Sequence, residues 1–158
     1  MTRAAEMIKE LAGYLEQDGM RFTLRDDEPA IEAAFRLKSL SVDVRLLAAD
    51  APLRLCALVA LPLIVPEDRR PAMAEAVTRA NYGMWLGNFD LGMSDGRLGF
   101  RIAIPVADGT LTLEQFRYLI GIALSTVDRY HRAFCRLVYA DDLSPAEVIA
   151  EVEMAVEE

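Results

Sequence analysis

Histidine and cysteine carry most nucleophilic and acid–base catalysis in proteins, and this chain is poor in both. It contains one histidine and two cysteines, so every Ser-His-Asp or Cys-His arrangement would have to use His131 as its base. His131 lies near the end of a predicted helix among three arginines, Arg129, Arg132 and Arg136. Because nearby positive charge disfavours a protonated imidazole, we expect an exposed or capping histidine rather than a general base. We interpret the arginines as charges that suit a helix C-terminus, in preference to a phosphate site.

The cysteines show no metal-ligand or redox spacing. Cys56 and Cys135 are far apart, and neither belongs to the Cys-x-x-Cys motif of zinc sites and thioredoxin-like centres. Cys56 falls in an apolar strand pattern and is expected to be a small buried hydrophobe. A disulfide between the two stays open, although we expect a reducing compartment. The sequence therefore predicts no zinc site and no cofactor.

Two pairs of acids could begin a magnesium or calcium site, namely Asp26-Asp27 and Asp141-Asp142. Both lie where turns and helix starts favour aspartate, and no EF-hand spacing surrounds them. Paired carboxylates can also hydrolyse glycosides, but with 25 acidic residues some pairing arises by chance. We expect no metal site and no enzyme. An enzyme using Asp and Glu alone would need a deep pocket holding a carboxylate of raised pKa.

Glycines and aromatic residues suggest two further kinds of site. Gly92, Gly96 and Gly99 match no phosphate-binding loop, because they lie in and after a hairpin instead of between a strand and a helix. Aromatic side chains could line a ligand pocket, while their strand and helix spacing is also typical of a core. The four candidates for such a pocket are Trp85, Phe89, Phe100 and Tyr130.

Periodicity predicts the elements that position these residues. Apolar stripes indicate helices over 3–18 and 66–82, from Thr112 past Tyr130, and from Ser144 to Val156. The last two begin with capping boxes, Thr112 with Gln115 and Ser144 with Glu147. Period-two alternation predicts six strands, at residues 20–25, 31–38, 40–46, 53–61, 85–91 and 97–104. The order α-β-β-β-β-α-β-β-α-α indicates an α+β fold in one domain over 1–158, an antiparallel sheet with helices packed on it.

The fourth strand is unusual because both of its faces are apolar. One side carries Leu55, Ala57 and Val59, and the other carries Cys56, Leu58 and Ala60. Such a strand needs cover on both faces. Helices would cover one face, and we expect the second to lie under another helix or a partner subunit.

Composition limits the partners. Acids outnumber bases by 25 to 17, which gives a net charge of −8, whereas a nucleic-acid binder needs a basic face. Hydrophobic residues make up 53% of the chain, but its longest apolar run, Leu55 to Val65, contains Pro62 and is shorter than the roughly 20 residues that span a bilayer. The N-terminus carries Glu6 and no apolar signal core. We therefore expect a cytoplasmic protein without nucleic-acid or membrane partners.

The middle and C-terminal parts resemble one bacterial family. The motifs are Ala80-Asn81-Tyr82-Gly83, Leu86-Gly87-Asn88-Phe89, Asp95-Gly96-Arg97 and Ser144-Pro145-Ala146-Glu147. They are similar to those of the YbjN family, described as a putative bacterial sensory transduction regulator. The resemblance implies a fold similar to type III secretion chaperones, which are small, acidic, dimeric proteins that bind unfolded client segments. It implies no catalytic residues, and it leaves motif positions of unknown role at Asn81, Tyr82, Gly83, Gly87 and Phe89.

Two function classes follow. The first is a non-enzymatic regulatory or chaperone-like module, a homodimer that docks an extended client on a sheet edge or an apolar face. The alternative is a small-ligand-binding sensor that uses the four-aromatic pocket. In either class Asn81 is expected to be a polar helix end, and Gly87 a small strand residue packed close to a neighbour.

Overall fold

The computed structural model describes residues 1–155, and Val156, predicted on the stripe of the last helix, lies outside them. Within this range four α-helices pack on one six-stranded antiparallel sheet. The helices are α1 (Arg3–Gln17), α2 (Arg70–Asn81), α3 (Leu113–Tyr139) and α4 (Pro145–Met154). The strands are β1 (Thr23–Leu24), β2 (Ala30–Arg36), β3 (Ser41–Ala49), β4 (Arg54–Ile64), β5 (Asn88–Leu91) and β6 (Arg97–Pro105). The predicted α+β class and element order are confirmed.

The sheet is ordered β1-β2-β3-β4-β6-β5. All the helices lie on one side: α1 packs on β2 and β3, α3 on β4 and β6, and α2 beside β5 and α4. Alternate residues of each central strand, such as Leu55, Ala57 and Val59 of β4, are buried beneath them. None of the helices in residues 1–155 is long and apolar enough to cross a membrane.

Local sequence signals set the helix starts. Thr112 accepts a hydrogen bond from the Gln115 amide, and the Gln115 side chain accepts one from the Thr112 amide. Ser144 and Glu147 repeat this box at α4. Both boxes satisfy backbone donors that a helix start leaves unpaired, so the predicted caps are confirmed.

The first strand is much shorter than predicted. Residues 20–25 alternate correctly, yet only Thr23 and Leu24 pair with β2. The Met20 amide donates to the Leu15 carbonyl at the end of α1, 2.9 Å away. Because that bond draws the chain back to the helix, Met20 and Phe22 pack on the core without joining the ladder.

The fourth strand extends further than predicted. It runs through Pro62 to Ile64, because the β4–β6 register shifts between Ala60 and Ile64. A proline is tolerated where the ladder is interrupted, since its missing N–H is not needed there.

The fifth strand begins later than predicted. Gly87 has a φ of +77°, which breaks an extended chain, so β5 starts at Asn88 and residues 85–87 form a loop. Only a glycine adopts this φ at little cost.

Candidate functional site

The second face of the sheet carries no helix. We call it the open face; on β4 it displays Cys56, Leu58 and Ala60, which are exposed or half-buried. The expectation of a second covering helix is therefore wrong for residues 1–155. Cys56 is accordingly half-exposed instead of fully buried, although partial burial still raises the pKa of its thiol. Side chains of the open face line a solvent-open depression of about 910 Å³.

Strand register sorts the open-face side chains into rows that cross the sheet. The row through Ala60, here called the acidic row, consists of Ala34, Asp43, Ala60, Gly99 and Asp90. The next row, here called the basic row, consists of Glu32, Arg45, Leu58, Arg101 and Asn88. Small and acidic residues thus lie beside a parallel row of larger and mostly basic or polar ones.

Arginines of the basic row form ion pairs with neighbouring carboxylates. The Arg101 Nε donates to Asp90 Oδ2 at 2.9 Å. Arg45 contacts Glu28, and its Nε lies 3.9 Å from Glu32 Oε1. These side chains are about half exposed, so they are available to a partner that approaches the open face.

The outer edge of β5 is closed by a side chain. Asn81, the last residue of α2, accepts a hydrogen bond from the Phe89 amide at 2.8 Å through Oδ1. Its Nδ2 donates to the Phe89 carbonyl at 3.1 Å. In an antiparallel ladder, successive residues direct their N–H and C=O groups alternately towards and away from the neighbouring strand. The Gly92 amide bonds to the Arg97 carbonyl beside β5, so the N–H and C=O of Phe89, three residues earlier, point away from β6. Asn81 therefore satisfies the outward backbone groups of Phe89, with which a further strand would pair.

The opposite edge is open. The amide of Arg25 donates to the Ala30 carbonyl, so Ala30 directs its backbone groups away from β3. Because this orientation repeats at every second residue, Ala34 and Arg36 also direct their N–H and C=O groups away from β3. The pairing with β1 stops at Glu32. Within residues 1–155, Ala34 and Arg36 therefore have no strand partner on this side.

The predicted aromatic pocket is only partly assembled. The Phe89 ring lies 5.1 Å from that of Phe100 and 5.4 Å from that of Tyr130, both edge-on. These three side chains are buried and fill the space between them, whereas Trp85 is 98% exposed. The structure thus brings three of the four candidates together in the core and leaves Trp85 outside.

The family-motif positions lie around the α2–β5 connection. Gly83 and Gly87 have φ values of +82° and +77°. A Cβ on Gly87 would lie 2.5 Å from Phe100 Cζ and 2.9 Å from the Arg101 carbonyl oxygen. Tyr82 is 90% exposed. Two positions, Asn81 and Gly87, therefore build the connection, and Tyr82 is displayed by it.

His131 is neither exposed nor a helix cap. It lies within α3, half-buried, with its Nε2 3.5 Å from the Cys135 sulfur. Burial lowers the pKa of His131, while the Asp128 carboxylate acts in the opposite direction; the expected effect of the arginines is not its cause. Burial also raises the pKa of Cys135, which disfavours the reactive thiolate. Cys56 and Cys135 are both free.

Three of the four paired acids form ion pairs with arginines. Arg25 binds Asp27, and Arg69 binds Asp141. Arg136 contacts Asp142 and Glu151, joining α3 to the α3–α4 connection and to α4. No group of three potential metal ligands occurs among the described residues.

Two features of the site were not found from the sequence. The edge-closing role of Asn81 depends on a contact over eight residues, and the rows depend on register. The period-two alternation of the sequence could have placed Asp43 and Arg45 on one face of β3. It could not have shown that they lie opposite Ala60 and Leu58 of β4, because that depends on strand register.

No curated protein matches the sequence. A chain in the crystal structure of the ExsC–ExsE complex is 20% identical, with a TM-score of 0.57, over 89% of this chain and 100% of that one. The crystal structure of YbjN, a putative transcription regulator from E. coli, is 17% identical, with a TM-score of 0.52, over 77% and 85%.

A chain of the HopA1–SchA chaperone–effector complex is 15% identical, with a TM-score of 0.51, over 82% and 95%. At these identities the likeness concerns the fold, which is that of the type III secretion chaperones, as predicted. The family model described as "Putative bacterial sensory transduction regulator" matches residues 8–136. This match spans most of the sequence, and the chain therefore belongs to the YbjN family.

Proposed function

We propose that this protein is a non-enzymatic, chaperone-like regulator that holds an extended segment of a client protein along the open edge of β2, and that it acts as a cytoplasmic homodimer. Edge addition uses the client backbone for affinity and alternate side chains for specificity. The fold neighbours solved as complexes with ExsE and with HopA1 support protein binding as the activity.

The contrast between the two sheet edges carries this proposal. An exposed edge invites pairing with another chain, and proteins usually block it. On β5 the block is Asn81, whose amide occupies both outward groups of Phe89. On β2 four backbone groups, those of Ala34 and Arg36, are left for a partner.

A further open stretch exists on β6 but is less suited to pairing. Val106 donates to Leu53, so alternation directs the groups of Ala103 and Pro105 away from β4, and β5 ends before them. Pro105 has no N–H, which weakens this stretch as a template.

Charge suggests the chemistry of the client. Arg21, Arg36 and Lys38 are exposed beside the open edge and form no ion pair within residues 1–155. In a chain of net charge −8, this is a locally positive stretch. We therefore expect the bound segment to carry carboxylates, and its binding to weaken as salt rises.

The chemistry of His131 and Cys135 disfavours a catalytic role for this pair. A catalytic base needs a pKa near the working pH and a nucleophile within reach. His131 has a cysteine neighbour, but burial lowers the pKa of the imidazole and raises that of the thiol. The two shifts together disfavour an imidazolium–thiolate pair.

The test is affinity capture from the source cells, read by quantitative mass spectrometry. The tagged protein is compared with Ala34→Pro, which removes an outward N–H from β2, and with Ala103→Pro, which makes the same change on β6. Melting temperatures verify that all three are folded. We expect one near-stoichiometric protein to be lost with Ala34→Pro and kept with Ala103→Pro.

Hydrogen exchange on the captured complex then locates the segment. The amides of Ala34 and Arg36 should gain protection when the client binds. Retention of the same client by folded Ala34→Pro, without added protection at these amides, would exclude the β2 edge as the binding site.

A small-ligand sensor is the second candidate, favoured by a groove of about 440 Å³ between the 85–87 loop, β6 and α3. Leu86, Ile104 and Tyr118 are among its lining residues, and its volume is in the range of ligand pockets. A metabolite panel that leaves the melting temperature unchanged would count against it.

A further inference from the structure

We infer that the open face of the sheet binds the open face of a second copy, with the acidic row of each copy against the basic row of the other. This inference rests on the proposed homodimer and specifies its surface. It also supplies the missing cover for the second apolar face of β4.

Two-fold symmetry restricts which residues of the open face can meet. In a two-fold dimer the same patch meets itself, so each contact from residue i to residue j occurs twice. Consider a two-fold axis that crosses the strands midway between the acidic and basic rows. Rotation about this axis places each strand opposite the same strand of the second copy. It also places the acidic row of one copy opposite the basic row of the other.

Under this exchange the side chains are complementary in charge and size. Asp43 faces Arg45 of the second copy, because both lie on β3 in adjacent rows. Ala60 faces Leu58 on β4, and Gly99 faces Arg101 on β6. At these three strands a small or acidic residue thus meets a larger or basic one, which is what interdigitating sheet faces need.

The rows also form a nearly neutral surface on an acidic protein. They contain three carboxylates, at Glu32, Asp43 and Asp90, and two guanidinium groups, at Arg45 and Arg101. Two chains of net charge −8 repel each other, and association at a nearly neutral face meets least of this repulsion.

The available area is sufficient for association. The central ladders β2–β3 and β3–β4 each pair seven residues. With strands about 4.8 Å apart and about 3.3 Å of rise per residue, the face covers about 550 Å² per copy, or about 1,100 Å² in total. This exceeds the roughly 1,000 Å² expected of a specific interface and is near the lower end of stable ones.

Charge reversal at two positions tests the pairing. Asp43→Arg places a second guanidinium against Arg45 of the other copy, and Arg45→Glu places a second carboxylate against Asp43. For each variant alone, the dissociation constant of the dimer should therefore rise about 100-fold, as measured by light scattering. Mixed together, the two variants face each other with opposite charges and should form a heterodimer. The double variant D43R/R45E should dimerise like the native protein, which also shows that the single variants failed through charge and not through unfolding.

Lys9→Glu and Glu10→Arg are the matched controls, because both residues are exposed on α1, on the other side of the sheet. They should leave the dimer unchanged. Dimeric single variants, or a mixture that does not associate, would overturn the pairing while leaving a homodimer through another surface. A native protein that stays monomeric at tens of micromolar would overturn both, and client capture through β2 would be unaffected.

Thiol alkylation gives a second readout within the same molecule. Cys56 lies on the open face and Cys135 on α3 behind the sheet, and both are half-exposed in the single chain. Dimerisation should slow alkylation of Cys56 at least tenfold between dilute and concentrated protein and leave Cys135 unchanged. Equal rates at both concentrations would overturn the pairing of open faces, and protection of Cys56 only when a client is added would assign the open face to that client.

Discussion

The side-chain amide of Asn81 pairs with both backbone groups of Phe89, at 2.8 Å and 3.1 Å. At Phe89, a short side chain at the end of α2 thereby takes the place of the neighbouring strand that β5 lacks.

Asn81→Leu should therefore destabilise the protein by about 1 to 3 kcal/mol, because the partly buried Phe89 amide loses its acceptor while the Phe89 carbonyl keeps the Asn88 donor. Urea unfolding measures this. Asn88→Ala is the comparison, since Asn88 also donates to the Phe89 carbonyl but leaves its N–H paired, and its effect should be smaller. A loss below about 0.5 kcal/mol for Asn81→Leu, the range of an ordinary surface substitution, would show that the edge does not depend on this amide.

Gly87→Ala should destabilise more than Gly83→Ala. Both glycines have positive φ, which costs an alanine about 1–2 kcal/mol. Only at Gly87 does the added Cβ meet Phe100 and the Arg101 carbonyl, while at Gly83 nothing lies within 4 Å. The difference in free energy of unfolding should be about 1–3 kcal/mol, as for an overpacked core. Equal losses would contradict the close approach of Gly87 to Phe100.

Stability should fall in mildly acidic solution because of His131. Burial lowers its folded pKa below the ordinary value of 6.5, so the unfolded chain binds the proton more readily. The contribution of neutral His131 to the free energy of unfolding is complete above pH 6.5. It is lost as the pH falls from 6.5 towards the pKa of His131 in the folded protein.

Urea unfolding of the native protein and His131→Gln across this range provides the measurement. The native protein should lose stability relative to the variant as the pH falls. Arginine partners lower the pKa of Asp18, Asp27 and Asp142, and these acids lose their contributions only near and below 3.8. Parallel curves for the two proteins between about pH 7 and about pH 5, where an ordinary histidine titrates, would exclude a buried neutral histidine.

Trp85 should behave as a surface side chain. It is 98% exposed, so Trp85→Ser should change the free energy of unfolding by less than about 0.5 kcal/mol. Because it is the chain's one tryptophan, its fluorescence reports on this position alone, and acrylamide should quench it as strongly as a free indole. Weak quenching in the isolated protein would instead place Trp85 in an aromatic pocket.

Local sequence was sufficient where a few neighbouring residues decide the structure. Thr112 with Gln115 and Ser144 with Glu147 predicted two helix starts that the structure contains. Alternation predicted the central strands, since a residue and its second neighbour share a face whatever lies above them. The last strand of the hairpin, β6, follows its predicted span of 97–104 to within one residue.

The errors occur where contacts outside the strand pattern decide, one of them local and one distant in sequence. The bond from Met20 to Leu15 shortened β1, and the approach of Gly87 to Phe100 delayed β5. Trp85 has the same alternation as Phe89, but it precedes the turn at Gly87 and so lies outside the ladder.

The sequence by itself determined the secondary elements, their order and the lack of a suited catalytic motif, because capping, alternation and residue chemistry are local or compositional. Only the tertiary structure decided which edge of the sheet is closed and which face is open. Those depend on register and on where the helices pack, as when Asn81 reaches Phe89 and Asp43 takes its place beside Ala60. The same apolar strand pattern is compatible with a helix or a second chain above it, and the packing of every described helix on one side removed the first possibility.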